Sequence, residues 1–358
     1  MKHWKETGEL LSRAAELKDK GRTAALATVV RIEGSAYRRP GAKFLVEDDG
    51  KTSGGVSGGC LEEDLREAAL RAIRDGQARL LHYETGSDDQ AVFGLGLGCN
   101  GSVDVFLQTA PEGDAPRKVL ERLGGESPFA IATVLEGQRA GRSLVLGAEG
   151  ILAGTSGDAG LDREILRRAA DLLARRRSSL ETIEDARVFV EVLAPPPHLA
   201  VFGAGDDAIP LCAYASDAGF RVTVVDHRAA LVTRERFPAA SRLLVERPGE
   251  GSGQIPITPR SYAVVKTHSF AYDRQWAGLL LATEIPYVGM LGPRARSREI
   301  LRQLGLSEDD RVRGPVGLDL GADGPEQIAV AIVAEILAVH SSREPWPLRE
   351  KEGAIHVS

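Results

Sequence analysis

Aromatic residues make up only 5% of the 358-residue chain, which argues against platforms for stacking nucleic-acid bases. Positive charge is not in excess either. The net charge is −6, so nothing general draws the chain to nucleic acid or to an anionic membrane. Cysteine is scarce, and Cys60, Cys99 and Cys212 cannot make an even disulfide framework. The longest apolar run, "IAVAIVAEILAV" from Ile328, is too short to span a bilayer and carries Glu335. The opening "MKHWKETGELLSRAAELK" reads as an amphipathic helix and lacks the apolar centre of a signal peptide. These absences predict a cytoplasmic protein with reduced thiols.

What is present is an ordinary globular mixture, 43% hydrophobic and 27% charged. At ~100–200 residues per domain the length predicts two domains. The boundary falls at "APPPH", 194–198, where three prolines favour an extended linker. The expected division is 1–193, the linker 194–198, 199–345 and a tail 346–358. The first part repeats itself. "ALATVVRI" from Ala25 resembles "AIATVLEG" from Ala130, and "GAKFLVEDDG" (41–50) aligns with "GRSLVLGAEG" (141–150), 100 residues on. "GGVSGGCLEEDLREAALRAI" then matches "AGTSGDAGLDREILRRAADLL", with Leu61 facing Leu161. Each copy reads strand, turn, strand, Gly-rich turn, helix, so 1–110 and 126–193 are expected to be two α+β repeats packed as one domain. Where the first copy has Gly58-Gly59-Cys60, the second is read as Gly157-Asp158-Ala159. The thiol is therefore dispensable for the turn, and what the first copy adds is a candidate for function.

"SGGVSGGCLEEDL" (53–65) is the sharpest such addition. Glycines let a ligand touch the main chain. Leu61, Leu65, Ala69 and Ala72 recur at helical spacing, which puts Cys60 at the Ncap or N1 position, where N–H groups and the helix dipole favour an anion and lower a thiol's pKa. A second Gly-rich cysteine loop, "VFGLGLGCNGSVDVFLQ", holds Gly98 and Cys99. Cys60 and Cys99, with His82 nearby, do not have zinc-finger spacing, but two thiols among open backbone suit a soft, sulfur-loving metal centre or cofactor. Arg38 and Arg39, in a turn closed by Pro40-Gly41, suit a phosphate or carboxylate. Thr85 and Gly86 belong to the same rim.

The second part carries a dinucleotide fingerprint. A strand ending at Phe202 runs into Gly203-Ala204-Gly205, a helix follows, and strand "RVTVVD" ends at Asp226. Asp226 could hold a ribose hydroxyl, yet Asp206 and Asp207 stand where a pyrophosphate would meet the helix and would repel it. Gly292, Arg294, Arg296 and Arg298 start a later helix and offer a phosphate grip. Thr267 and His268 end a strand, where doubly wound sheets place their sites, and Asp319 is expected at the same edge. Glu335 is expected to pair with a buried arginine. The fold class is thus α/β: an N-terminal α+β domain with internal duplication, then a Rossmann-like doubly wound parallel sheet.

These motifs resemble the XdhC/CoxI family of molybdenum-hydroxylase accessory proteins. The likeness rests on "GSAYRRPGAKFLV", "GGVSGGCLEEDL", "GLGLGCNGSVDVFL", "FGAGDDAIPL", "VVDHR", "KTHSFAYD", "YVGMLGPRARSREI" and "GPVGLDLGADGPEQIAVAIVAEIL". The chain departs from the family pattern at Asp206, where histidine is usual, and at Asn100, where glycine is usual. The resemblance implies binding of molybdenum cofactor, support of its sulfuration, and delivery to an apo-hydroxylase such as xanthine dehydrogenase. The implied partners are that apo-enzyme and a cysteine desulfurase or sulfurtransferase, and a homodimer is the simplest assembly. Cys60 and Cys99 would then be the thiols at the cofactor and its molybdenum. Arg38, Arg39, Gly58 and Gly59 would line its pterin or phosphate, and Gly203, Gly205 and Asp226 would bind a nucleotide. Two other readings remain: an NAD(P)-dependent oxidoreductase with its hydride acceptor near His268, and a non-catalytic adaptor between apo-hydroxylase and sulfurtransferase.

Overall fold

Alternation along β1 (Ala24–Gly34) sets the plan of the first part of the chain. Ala25, Ala27 and Val29 face a helix, and Leu26, Thr28 and Val30 face a second sheet. Both faces are covered as far as Val30, and to that point the strand is apolar but for Thr28. The computed structural model describes residues 2–34, 38–84, 101–111, 113–250, 255 and 257–350. The described chain divides into two compact units, one running to Pro195 and one from Pro196.

The first unit contains α1 (Lys2–Asp19) and two antiparallel sheets. One joins β1 to β2 (Lys43–Glu47), β3 (Thr52–Gly54), β4 (Arg79–Glu84) and β5 (Gly101–Thr109), in the order β3-β2-β1-β5-β4. The other joins β6 (Phe129–Val134), β7 (Ser143–Gly147), β8 (Gly150–Gly154), β9 (Ser179–Ile183) and β10 (Ala186–Leu193), in the matching order β8-β7-β6-β10-β9. Helix α2 (Glu62–Asp75) covers the outer face of the first sheet through Leu65, Ala69 and Ala72. Helix α4 (Ala159–Arg175) covers the second through Ile165, Ala169 and Leu172. The inner faces meet around Phe106 and Phe189, and α1 and α3 (Asp114–Leu123) add Trp4, Leu11 and Val119 to that core.

The second unit is a parallel sheet of β11 (His198–Phe202), β12 (Arg221–Asp226), β13 (Arg242–Val245), β14 (Ser261–Val265), β15 (Val288–Met290) and β16 (Val312–Arg313), ordered β13-β12-β11-β14-β15-β16. Helices α5 (Ala208–Asp217) and α8 (Pro325–His340) share a core with one face, and α6 (Phe270–Leu281) and α7 (Arg294–Gln303) belong to the opposite side. The order reverses between β11 and β14, the point at which such sheets bind ligands. Among the described residues, no helix is long and apolar enough to cross a membrane.

One correction arises here. Glu335 does not meet an arginine. It accepts the Tyr287 hydroxyl at 2.5 Å and the Gly317 amide at 3.0 Å, so neutral donors satisfy it at the edge of the apolar core. His82 places its Nδ1 2.6 Å from Asp104 Oδ1, which leaves Nε2 as the nitrogen that could face a ligand.

Each unit holds a histidine kept neutral. Burial, reinforced by Lys43, Arg38 and Arg39, lowers His3 to about 3. Burial and Arg260 lower His340 to about 4, beside the Tyr262 hydroxyl at 2.9 Å. An unfolded histidine takes up its proton near pH 6.5. Stability should therefore hold above pH 6.5 and fall as the pH drops toward 4, by up to about 1.4 kcal/mol per pH unit for each group. Urea unfolding between pH 7 and pH 4 measures this slope, and His340→Asn should flatten the part belonging to the second unit.

Candidate functional site

The turn between β3 and α2 is built around one serine. Ser57 Oγ accepts the amides of Gly59, Cys60 and Leu61 at 3.2, 3.0 and 3.1 Å. It donates in turn to Glu62 Oε2, while Glu62 Oε1 accepts the amides of Val56 and Ser57. Burial pushes the Glu62 carboxyl up, but these bonds outweigh it and hold the group below its usual range. Val56 and Leu61 anchor both ends of the turn in the core under α2. Gly58 and Gly59 are exposed, and a Cβ on either would meet nothing within 4 Å. Cys60 is half-buried beside them.

The helix begins later than its periodicity predicts. Leu61 is the N-cap and Glu62 the first helical residue, so Cys60 precedes the cap and is neither Ncap nor N1. Gly59, at φ 117°, lies in backbone space no helix uses. Two signals for this were readable but unused: a serine before paired glycines, and a glutamate five residues after it.

The second half of the unit shows the same framework filled differently. The 39–42 and 139–142 turns share one hydrogen bond, from the fourth residue's amide to the carbonyl of Arg39 or Arg139. Ser156 donates its amide to Asp162 as Val56 does to Glu62. Buried Leu161, Ile165, Ala169 and Leu172 stand 100 residues after Leu61, Leu65, Ala69 and Ala72. This register pairs Gly58 with Asp158 and Cys60 with Gly160, one residue away from the pairing read in the sequence. Asp158 is a true N-cap: its Oδ1 accepts the amides of Gly160 and Leu161 at 2.8 and 3.2 Å, and Arg139 reaches its Oδ2 at 3.0 Å. Among the described residues, the two equivalent amides of the first half, on Cys60 and Leu61, have only the Ser57 hydroxyl. Three N–H groups crowd one oxygen with two lone pairs. Where the second half supplies its own carboxylate, the first supplies open space and a thiol.

Arg38 does not line this turn as expected. It grips both oxygens of Glu6 on α1, at 2.7 and 2.6 Å, because α1 brings a carboxylate closer than any ligand seat could. Arg39 is exposed, in the position that Arg139 holds in the second half. Gly98, Cys99, Thr85 and Gly86 lie outside the described residues. The strand leading toward them, β4, reaches the helix after Cys60: Tyr83 donates to Asp64 Oδ2 at 2.5 Å. Among the described residues no cluster of three metal-ligating side chains occurs.

In the second unit, the carboxyl edge of the sheet is laced with ion pairs. Asp226 Oδ1 accepts the Arg228 amide and Nε, and Oδ2 accepts the Ala204 amide at 2.8 Å and Arg228 Nη2 at 2.7 Å. Burial pushes this carboxyl up, yet the arginine and the amides bring it down to about 2. A ribose hydroxyl would have to displace Arg228. Asp207 is the N-cap of α5 but does not cap it. Its carboxylate takes the ammonium of buried Lys266 at 2.6 Å, with His268 Nε2 at 3.6 Å, and Arg236 reaches Asp206 at 2.9 Å. Burial lowers the pKa of Lys266 against the pull of Asp207. Gly203 answers a packing need, since a Cβ there would lie 2.4 Å from Lys266 O. His268 is exposed and holds an unusual φ of 61°. Gly292 precedes α7, and Arg294 is exposed at its start, but Arg296 is committed to Asp273 at 2.7 Å. Asp319 is exposed on the loop before α8. Sequence reasoning missed Lys266 and Arg228, although a lysine closing an apolar strand was a visible signal.

Comparison with known proteins bears on both units. Residues 17–84 and 123–184 match the family described as XdhC and CoxI, and residues 199–336 match the XdhC Rossmann domain. A Bacillus subtilis protein named as a probable subunit of xanthine dehydrogenase is 35% identical over 317 residues, 88% of this chain and 92% of its own length. An Escherichia coli molybdenum cofactor insertion chaperone, PaoD, is 34% identical over 122 residues, 34% of this chain and 37% of its own. A crystal structure from Bacillus halodurans, titled as a xanthine dehydrogenase, superposes with a TM-score of 0.76 at 28% identity, covering 94% of this chain and 96% of that one.

Proposed function

The chain belongs to the XdhC and CoxI family, and from that premise we propose that it is an accessory factor in xanthine dehydrogenase maturation that carries molybdenum cofactor as cargo. It binds the cofactor, supports its sulfuration, and passes it to an apo-hydroxylase. A sulfurtransferase is the second partner. Insertion chaperone is the stated role of the Escherichia coli relative, and the whole-chain likeness to the Bacillus subtilis protein supports the same setting.

The observation that carries this reading is the contrast between the two halves of the first unit. The second half closes its turn with the Asp158 carboxylate. The first leaves the same two amides to a shared hydroxyl, with Gly58 open and Cys60 adjacent. The cargo is an anionic phosphate ester with soft sulfur donors, and the amides of Cys60 and Leu61 would receive its anionic group. Cys60 would meet its sulfur or metal end, with Cys99 as the second thiol. Ser57 and Glu62 hold the turn in shape and satisfy its amides when no cargo is present. A carrier must release what it holds, and a hydroxyl that can take the amides back favours release.

Protein purified from a host that makes molybdenum cofactor should carry molybdenum and pterin, and protein from a cofactor-deficient host should carry neither. Cys60→Ala should weaken retention about tenfold, the ~1.4 kcal/mol of one good contact. Equal pterin in wild type and variant would remove Cys60 from the site.

A further inference from the structure

Between the facing sheets of the first unit lies a partly open cavity of about 60 Å³. Its walls repeat across an approximate twofold. Lys43 pairs with Thr28, which pairs with Phe106; Ser143 pairs with Thr133, which pairs with Phe189. Gln108 opposite Leu26 answers Glu191 opposite Ile131. On one side, buried Lys43 donates to Glu191 Oε1 at 2.5 Å and to Gly41 O at 3.1 Å. On the other, Ser143 is far shorter than lysine and Gln108 carries no charge.

The acceptors remain on that second side. Ser143 Oγ lies 3.0 Å from Thr133 Oγ1 and reaches Gly141 O at 3.4 Å. Gln108 Oε1 lies 2.8 Å from where a Cβ on Gly141 would be, as Glu191 Oε1 lies 3.0 Å from that of Gly41. The spot held by an ammonium on one side therefore keeps carbonyl acceptors on the other without the ammonium. Thr7 adds an independent sign. It is fully buried, it lines the cavity, and its hydroxyl finds no partner among the described residues. A buried unpaired hydroxyl is costly, which favours a guest that bonds it.

We propose that this cavity binds a small neutral hydrogen-bond donor against the Gln108 carboxamide and the Ser143 hydroxyl, which mirror Glu191 and Lys43, with Thr7 as a further contact. The guest is neutral because Gln108 replaces the carboxylate that would balance a cation, and an unpaired buried charge is prohibitive. The volume suits about four water molecules, at ~15 Å³ each, or one small primary amide.

Oxygen-17 water relaxation dispersion on the full chain, and melting with and without acetamide, test this and separate the two guests. The wild type should show long-lived internal water, and a melting rise with acetamide would identify an amide as the guest in its place. Ser143→Lys with Gln108→Glu rebuilds the second ion pair and should abolish whichever signal the wild type gives. A wild type with neither signal, or a rebuilt variant that keeps it, overturns the site. Should the double variant fail to fold, Thr7→Val, equal in shape, should reduce the signal, and an unchanged signal overturns the proposal equally.

Discussion

Gly58→Asp should yield a protein that no longer holds molybdenum cofactor, yet unfolds at a higher temperature than the wild type. The substitution copies Asp158 into the first half at the matching position. A Cβ at Gly58 meets nothing within 4 Å, and its φ is not in the left-handed region, so the side chain fits. The new carboxylate should accept the amides of Cys60 and Leu61 as Asp158 accepts those of Gly160 and Leu161. A carboxylate that takes up two such amides just before a helix is worth about 1 kcal/mol. The same carboxylate fills the proposed anion seat and repels a phosphate beside it, so cofactor content should fall more than a hundredfold, the ~3 kcal/mol of losing charge-assisted bonds to the amides. Gly58→Ala is the control, since it adds bulk without charge and should keep most of the cargo. Stability by calorimetry and cofactor by metal and pterin analysis give two readings that move in opposite directions. If Gly58→Asp gains stability and retains its cofactor, the anion does not sit at these amides.

Lys43→Ala should be the most damaging single change in the first unit, by about 3–5 kcal/mol, because it leaves the Glu191 carboxylate buried without its partner. Both side chains are about 95% buried, and the two residues are 148 apart in the chain, joining one sheet to the other. The same strand carries the candidate site, because Lys43 O accepts the Gly55 amide at 2.9 Å just before the Cys60 turn. Lys43→Met with Glu191→Leu, which removes both charges and keeps the volume, should recover most of the loss. Chemical denaturation of the single and double variants measures this. A single variant as stable as the wild type would mean that the pair does not hold the sheets together.

Much of the architecture was written in short stretches. The Gly203-Ala204-Gly205 run between an apolar strand and "RVTVVD" announced the parallel sheet, whose strand–turn–helix geometry is decided within about thirty residues. The 100-residue displacement aligned the two halves of the first unit, since each half repeats its own alternation of buried positions. The site was less legible. Periodicity led to Cys60 as Ncap or N1, but the hydroxyl of Ser57 and the carboxylate of Glu62 draw the turn out of helical form and delay the helix to Glu62. Arg38 read as a ligand for phosphate, and α1 supplied Glu6 instead.

The sequence by itself determined where strands and helices form, where glycine opens the backbone, and that a thiol lies beside that opening, because those depend on neighbours within a few residues. Only the tertiary structure decided which distant acceptor each buried cation meets: Glu191 for Lys43, Asp207 for Lys266. Burial makes an unpaired charge too costly to leave, so the fold assigns partners by proximity in space, and proximity across a sheet or between two sheets leaves no mark in local spacing.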